Sequence, residues 1–283
     1  MFRQIRAAAS DVMWQIIHPN DRHDARSVLD KFRAEALSHG IPFSVVESSK
    51  EATDLLSATA YDLGFVCGWY WLLPSSQVDE YMPPLYGIHH STLPRFRGGA
   101  PVVWALLSGE EAVGSTLFRL TSRMDDGPIA AQVACSVLPE MTISDVLAAL
   151  EKEWSKNIGL VWQNLVDGSV ELAPQDESCA TYCAQRRPED GRIDWRQPAN
   201  YIHNFIRSQA SPYPGAFTTT VNGTRVTIDR STPFAARYHS TPGQILQRSP
   251  SEILVGCGGS TALRVLQVRE KGGLALVKGR FLI

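Results

Sequence analysis

Apolar residues recur along this chain in two rhythms, and each change of rhythm marks an element. Short apolar runs predict strands at 12–19 (VMWQIIHP), 41–46 (IPFSVV) and 63–69 (LGFVCGW). Between them the spacing lengthens to three and four. Phe2, Ile5 and Ala9 share one face of an opening helix, and Val28, Leu29, Phe32, Ala36 and Leu37 share another over 27–39, stopped by Gly40. A further helix covers 50–58. The 63–69 run is apolar throughout, the pattern of a strand buried in a parallel sheet. Farther on, Pro101 opens a helix over 100–107, and 114–121 and 129–138 read as strands. Thr142 or Ser144 then caps a single long helix to Leu165, with Val146, Leu147, Leu150, Trp154, Ile158, Val161 and Leu165 as its stripe. This alternation predicts a doubly wound, mostly parallel α/β sheet. Such sheets open with a strand and a glycine-rich turn. Here the first segment is already helical, so either the natural start lies upstream or the expected sheet lacks its first strand.

From 171 to 184 the periodicity fades into small polar residues. The expected division is an α/β domain over 1–172, a linker over 173–199 and a β-rich domain over 200–283. That last part begins with an amphipathic helix over 200–209, followed by an Asn222-Gly223 hairpin turn between alternating runs. GQILQR, EILVGCG, TALRVLQVRE and LALVKGRFL continue as closely spaced strands, which predicts a small, OB-like barrel of about five strands.

Composition narrows the classes. The 283 residues are 44% hydrophobic and 20% charged, with net charge −2, so the whole chain exerts no attraction on nucleic acid or anionic lipid. Cys67, Cys135, Cys179, Cys183 and Cys257 form no CxxC pair and read as reduced thiols of a cytoplasmic protein. Cys179, Cys183 and His203 fit no common zinc spacing, so no metal is expected. No apolar run reaches the roughly 18 residues of a membrane span. MFRQIRAAAS lacks the apolar core of a signal peptide.

Chemistry concentrates at Tyr86–Gly109, YGIHHSTLPRFRGGAPVVWALLSG, where an apolar segment ends in two histidines before a basic, glycine-rich turn. His89 and Asp125 each stand where an apolar strand gives way to a polar turn. In a parallel sheet both would share the carboxyl edge, where α/β folds place ligands. A carboxylate beside an imidazole orients it for acid–base work. Two solvated histidines on a surface loop would leave the same trace in the sequence.

The runs GIHHSTLPRFRGGAPVVWALLSGE and GSTLFRLTSRMDDGPIAAQ resemble the 10-formyltetrahydrofolate-dependent formyltransferases. Those enzymes carry Asn-x-His-x-Ser-x-Leu-Pro, then Arg-Gly-x-x-Pro with Trp-Ala soon after, then Asp-x-Gly. His89, Ser91, Leu93 and Pro94 fall in step, Asp125-Asp126-Gly127 supplies the aspartate, and the 36-residue gap from His89 to Asp125 is the family's usual one. RRPEDGRIDW (186–195) and IRSQASPYPGAF (206–217) resemble inter-domain segments of methionyl-tRNA formyltransferases and of UDP-4-amino-arabinose formyltransferase domains. The likeness runs from about Asp11 to the end.

The resemblance implies 10-formyltetrahydrofolate as formyl donor, with His89 as a donor to the formyl oxygen and Asp125 holding it. It implies a pterin site along Gly68, Trp69, Tyr70, Trp71, Leu72 and Leu73 and at Ser122 and Met124, although the aromatic rings equally suit a cover for the sheet edge. Acceptor contacts are implied at Ser91, Arg97, Gly98 and Tyr213, with surface solvation the alternative for Arg97. His90 reads as a solvated neighbour, with an acceptor contact the alternative. Gly87 stands where the family has asparagine, which removes an amide donor from the oxyanion site. The expected acceptor is the amine of a small molecule, a nucleotide-linked amino sugar or an amino acid, because Asp194, Asp229 and Glu252 interrupt the basic residues of the second domain. Initiator methionyl-tRNA is the alternative, and Gly87 leaves open a folate-binding protein impaired in catalysis.

Overall fold

The computed structural model describes residues 1–9, 11–24, 26–69, 71, 73–78, 83–270, 273–277 and 280–283. In chain order the elements are α1 (Phe2–Ala8), β1 (Ile16–Pro19), α2 (Leu29–Ser38), β2 (Phe43–Val46), α3 (Ser49–Ala58), β3 (Gly64–Val66) and β4 (Leu85–His89). Then come β5 (Arg97–Gly98), α4 (Pro101–Leu107), β6 (Ala112–Arg119), β7 (Ile129–Ser136), α5 (Ile143–Trp154), α6 (Ile158–Val166) and β8 (Tyr182–Cys183). The last are α7 (Ala199–Arg207), β9 (Ala216–Thr219), β10 (Arg225–Pro233), β11 (Ile245–Arg248), β12 (Ile253–Cys257) and β13 (Thr261–Val268). They form two compact units: residues 1–98, 114–134 and 150–182, and residues 99–113, 135–149 and 183–283.

In the first unit β1 pairs with β2 in parallel, and a separate sheet has the order β3-β4-β6-β7. The single sheet expected from the alternation is therefore divided. Side chains connect the parts: Trp162 stacks on Trp14, ahead of β1, at 5.8 Å and meets Phe65 of β3 edge-on at 5.5 Å. β3 and β4 run parallel, with Val66 opposite Gly87, whereas β4 and β6 run antiparallel, with Gly87 opposite Phe118 and His89 opposite Thr116.

Alternate strand residues face opposite ways, and directly opposed residues face the same way. One face therefore carries Tyr86, Ile88 and Leu117, which pack with Ile5, Trp154, Ile158, Trp162 and Leu165 into the core. The other carries Gly87, His89, Thr116 and Phe118. The single long helix expected to reach Leu165 is broken at 155–157. Ser155 Oγ donates to the Lys152 carbonyl at 2.7 Å, a local bond that competes with the helical ladder. Trp154, Ile158, Trp162 and Leu165 remain buried across the break, which is why the apolar stripe reads as continuous.

In the second unit five antiparallel strands follow the order β11-β12-β13-β10-β9. The Asn222-Gly223 turn joins β9 to β10, and Gly223 takes the left-handed φ of +81° that the turn requires. The strand expected over LALVKGRFL is a 3-10 turn at Gly273–Leu276 followed by a bridging tail; Lys278 and Gly279 lie outside the described residues. That tail closes the barrel. Ile245 N–H donates to the Arg280 carbonyl and Leu282 N–H to that of Gly243, beside β11, while Ile283 and Thr219 of β9 exchange bonds, all at 2.8 Å. α7 packs on β10 and buries Ile202, Phe205 and Ile206.

Candidate active site

His89 ends β4, and Asp125 sits in the turn between β6 and β7. The two meet, with His89 Nδ1 3.6 Å from Asp125 Oδ2, but by a route the parallel-sheet reasoning did not anticipate. Because β6 is antiparallel to β4, its carboxyl end lies beside the start of β4, where Leu120 N–H donates to the Leu85 carbonyl at 2.7 Å. The residues after it carry the chain back to His89. Both side chains are mostly withdrawn from water, 10% exposed for His89 and 24% for Asp125. His89 Nε2 lies 2.7 Å from the Phe96 carbonyl oxygen, which only accepts, so Nε2 carries the proton. Nδ1 is left facing the carboxylate.

The turn holding Asp125 is shaped by close contacts. Asp125 takes a left-handed φ of +50°, which short polar side chains tolerate better than others. A Cβ on Gly127 would stand 1.7 Å from the Arg119 carbonyl oxygen, so only glycine lets the turn close on β6. Of the two aspartates, Asp126 binds Thr121 and Arg123, which leaves Asp125 for His89. Asp125 Oδ2 also accepts the Gly98 N–H at 2.7 Å. The loop after His89 is moored on β6: Thr116 Oγ1 donates to the Ser91 carbonyl at 2.7 Å and accepts from Leu93 N–H at 3.2 Å and Gln132 Nε2 at 2.8 Å.

The remaining expected site residues divide. Gly68 follows β3, which pairs with β4 as far as Val66 opposite Gly87, and takes a left-handed φ of +64°. Trp69 and Trp71 pack edge to face at 5.3 Å, and the buried Trp69 Nε1 has no hydrogen-bond partner among the described residues. Leu73 is half-buried, Ser122 and Met124 are exposed in the Asp125 turn, and Tyr70 and Leu72 lie outside the described residues. Ser91 is buried, its hydroxyl donating to the Arg95 carbonyl at 2.6 Å. Gly98 serves Asp125 through its backbone. Tyr213 belongs to the second unit, where its carbonyl accepts from Arg269.

Two expectations are corrected. Arg97 is not a solvent-facing acceptor contact: it is 1% exposed, and all five of its N–H donors are engaged. They reach Gln175 Oε1 from Nε and Nη2 (3.1 and 2.8 Å), Glu177 from Nη1 and Nη2 (3.0 and 2.8 Å) and Tyr182 from Nη1 (3.3 Å). His90 is not solvated either. It faces the core side of the sheet, 3.1 Å from Ser115 Oγ, which also accepts from Trp154 Nε1 at 2.9 Å. Burial, with a smaller contribution from His89, holds its pKa down at about 4, so it is a neutral packing residue at physiological pH.

The site also holds residues that periodicity does not reveal. Gln175 Nε2 donates to the carbonyls of Asp125 (2.8 Å) and Gly127 (2.7 Å), and Phe96 N–H donates to Thr181 Oγ1 at 2.8 Å. Both lie in the stretch that reads as a linker. The only sequence signal is that this stretch follows the core helices with polar residues of matched donor and acceptor capacity.

Comparison with known proteins agrees with this geometry. Residues 19–160 match the Formyl transferase family and residues 186–281 the Formyl transferase, C-terminal domain. A methionyl-tRNA formyltransferase of Bacillus velezensis is 30% identical over 245 residues, covering 85% of this chain and 76% of that protein. Two solved structures share the fold. HypX from Aquifex aeolicus in complex with tetrahydrofolic acid has TM-score 0.67 at 19% identity, covering 92% of this chain and 45% of that one. The N-formyltransferase from Helicobacter canadensis in complex with folinic acid and dTDP-3-aminofucose has TM-score 0.64 at 13% identity, covering 90% and 99%. With both family regions matched in order, and with the histidine and aspartate of the shared motifs brought face to face, the chain belongs to the formyl transferase family.

Proposed function

We propose that this protein transfers a formyl group from 10-formyltetrahydrofolate to a primary amine. The observation that carries the reading is the His89–Asp125 pair, partly buried, 3.6 Å apart and fixed from both sides by backbone groups. The donor supplies an activated formyl carbonyl, whose oxygen gains negative charge as the amine attacks. Charge that develops in a dry site is best met by donors already in place. His89 keeps Nε2–H on Phe96 and turns Nδ1, with the Asp125 carboxylate beside it, to the reacting centre. Nδ1 takes up the proton that the amine sheds, presents it as Nδ1–H to the developing oxyanion while the Asp125 carboxylate offsets the ring's positive charge, and passes it to the folate nitrogen as the formyl C–N bond breaks. A folate site beside His89 is supported by Gly68, two residues beyond the end of the neighbouring strand β3, and by the Trp69 indole N–H, which has no partner among the described residues and suits the acceptor atoms of a pterin.

For the acceptor, we favour a small-molecule amine, a nucleotide-linked amino sugar or an amino acid. The Helicobacter canadensis enzyme, of nearly the same extent, was crystallised with such a sugar. A second reading, methionyl-tRNA, has its own support in the charge distribution. Residues 200–283 carry ten Lys and Arg against three Asp and Glu, while the preceding 199 carry seventeen against twenty-six. A basic part of that kind suits a polyanion.

The test is release of tetrahydrofolate from 10-formyltetrahydrofolate with nucleotide-linked amino sugars, free amino acids and methionyl-tRNA in separate reactions. We expect turnover with one of the small amines, reduced at least ~100-fold in His89→Ala. Turnover confined to methionyl-tRNA, falling steeply with salt, would move the acceptor to the second reading. Folate binding without turnover on any amine would falsify the enzyme reading.

A further inference from the structure

The stretch 175–182 touches both members of the pair indirectly. We infer that Gln175 is a positioning residue for Asp125 and that Arg97 orients Gln175. The inference rests on the formyl-transfer reading for its catalytic consequence, though not for its geometry.

Gln175 has two N–H donors and uses both, on the carbonyls of Asp125 (2.8 Å) and Gly127 (2.7 Å). Those carbonyls flank the turn in which Asp125 holds φ +50°. A left-handed non-glycine residue persists where its surroundings over-determine it. The two bonds from one amide provide that constraint, because neither carbonyl can swing outward without losing its donor. The amide cannot turn over, since its oxygen accepts from Arg97 Nε and Nη2 and would otherwise present N–H to N–H. Arg97 in turn is fixed by a two-pronged pair with Glu177, at 2.8 and 3.0 Å. The line from Glu177 through Arg97 and Gln175 thus ends on the backbone of the residue that faces His89. A matching support stands on the other side. Thr181 Oγ1 accepts from Phe96 N–H, and the Phe96 carbonyl accepts from His89 Nε2.

The bond from Gly98 N–H to Asp125 Oδ2, 2.7 Å, reports where the carboxylate sits and is independent of any reaction. Two variants remove the donors. Gln175→Met is near-isosteric, and Gln175→Glu keeps the acceptor for Arg97. Amide hydrogen exchange followed by NMR should show Gly98 exchanging about tenfold faster or more in both, the loss of roughly one charge-assisted bond. The amides of Leu117 and Phe118 should stay protected, which excludes general loosening. In steady-state kinetics kcat should fall about tenfold or more with the KM for 10-formyltetrahydrofolate within about twofold, since the geometry of the reacting pair is disturbed and not the donor's site. Unchanged Gly98 exchange in both variants overturns the positioning role, as does faster exchange with kcat intact. If the unmodified protein formylates no amine, the proposed function fails, and the exchange experiment still decides whether Gln175 holds Asp125.

Discussion

Replacing Gly87 by asparagine tests whether the missing amide limits this enzyme. Gly87 lies in an extended strand two residues before His89, so a side chain there projects on the same face. Its Cβ would come 2.7 Å from Leu120 Cδ2, 3.4 Å from Leu120 Cγ and 3.6 Å from Phe118 Cε1. The tight contact is with a terminal methyl of a half-buried side chain, which can yield by rotating. Crowding of that kind costs about 1 kcal/mol. Relief of glycine's entropic penalty in a strand offsets roughly 0.5–1 kcal/mol of it. Stability should therefore change by no more than about 1 kcal/mol. A new donor at the formyl oxygen is worth far more, about 2.7–4 kcal/mol or 100- to 1000-fold in kcat. Even with imperfect placement, Gly87→Asn should raise kcat at least ~10-fold, measured as tetrahydrofolate release at saturating donor and amine. Gly87→Asn with Leu120→Ala should raise it further by clearing the methyl. If kcat is unchanged while the urea midpoint and folate affinity match the parent, another group already fills the asparagine's role, and the argument from Gly87 fails.

Other outcomes follow from the same geometry. His90 has a folded pKa of about 4 against an ordinary 6.5. Above pH 6.5 it is neutral in both states; as pH falls towards 4 the unfolded chain gains a proton that the folded one refuses, and stability drops by up to roughly 3 kcal/mol. Urea unfolding at pH 7.5 and 4.5 should show most of that loss in the parent and not in His90→Gln. Gly127→Ala forces a methyl to 1.7 Å from the Arg119 carbonyl oxygen, a backbone atom held in the sheet. We expect it to cost about 3 kcal/mol in urea unfolding and to abolish transfer by displacing Asp125.

Much of this was legible because it is written in periodicity. Every helix up to α4, the strands β1 to β4, β6 and β7 and the hairpin at Asn222-Gly223 follow from apolar spacing and stop signals, whereas the two-residue β5 falls in a stretch that reads as a turn. Where periodicity misleads, the reason is local. Trp154 and Ile158 are four apart, so the stripe crosses the break between α5 and α6 unchanged, while the Ser155 hydroxyl that diverts the backbone has no rhythm to betray it. The pairing of His89 with Asp125 was readable from their motifs, but not its path, since strand direction is set by long-range register. Arg97 was misread because one arginine in a basic turn looks the same whether it meets solvent or Glu177, eighty residues later. Gln175 and Thr181 act through single side chains at long range, and the polar character of the stretch around them does not say which side chains they reach.

The support that Gln175 and Thr181 give has a consequence for dividing the chain. A piece ending at 172, where periodicity suggests a domain boundary, would retain His89, Asp125 and the sheet beneath them. It would also leave the Arg97 guanidinium without Gln175, Glu177 and Tyr182, the side chains that bind it in the whole chain. During synthesis the same holds in time: the reacting pair can form early, but it stays loose until residue 182 has emerged. The smallest piece of this protein expected to work is therefore set by a stretch with almost no secondary structure.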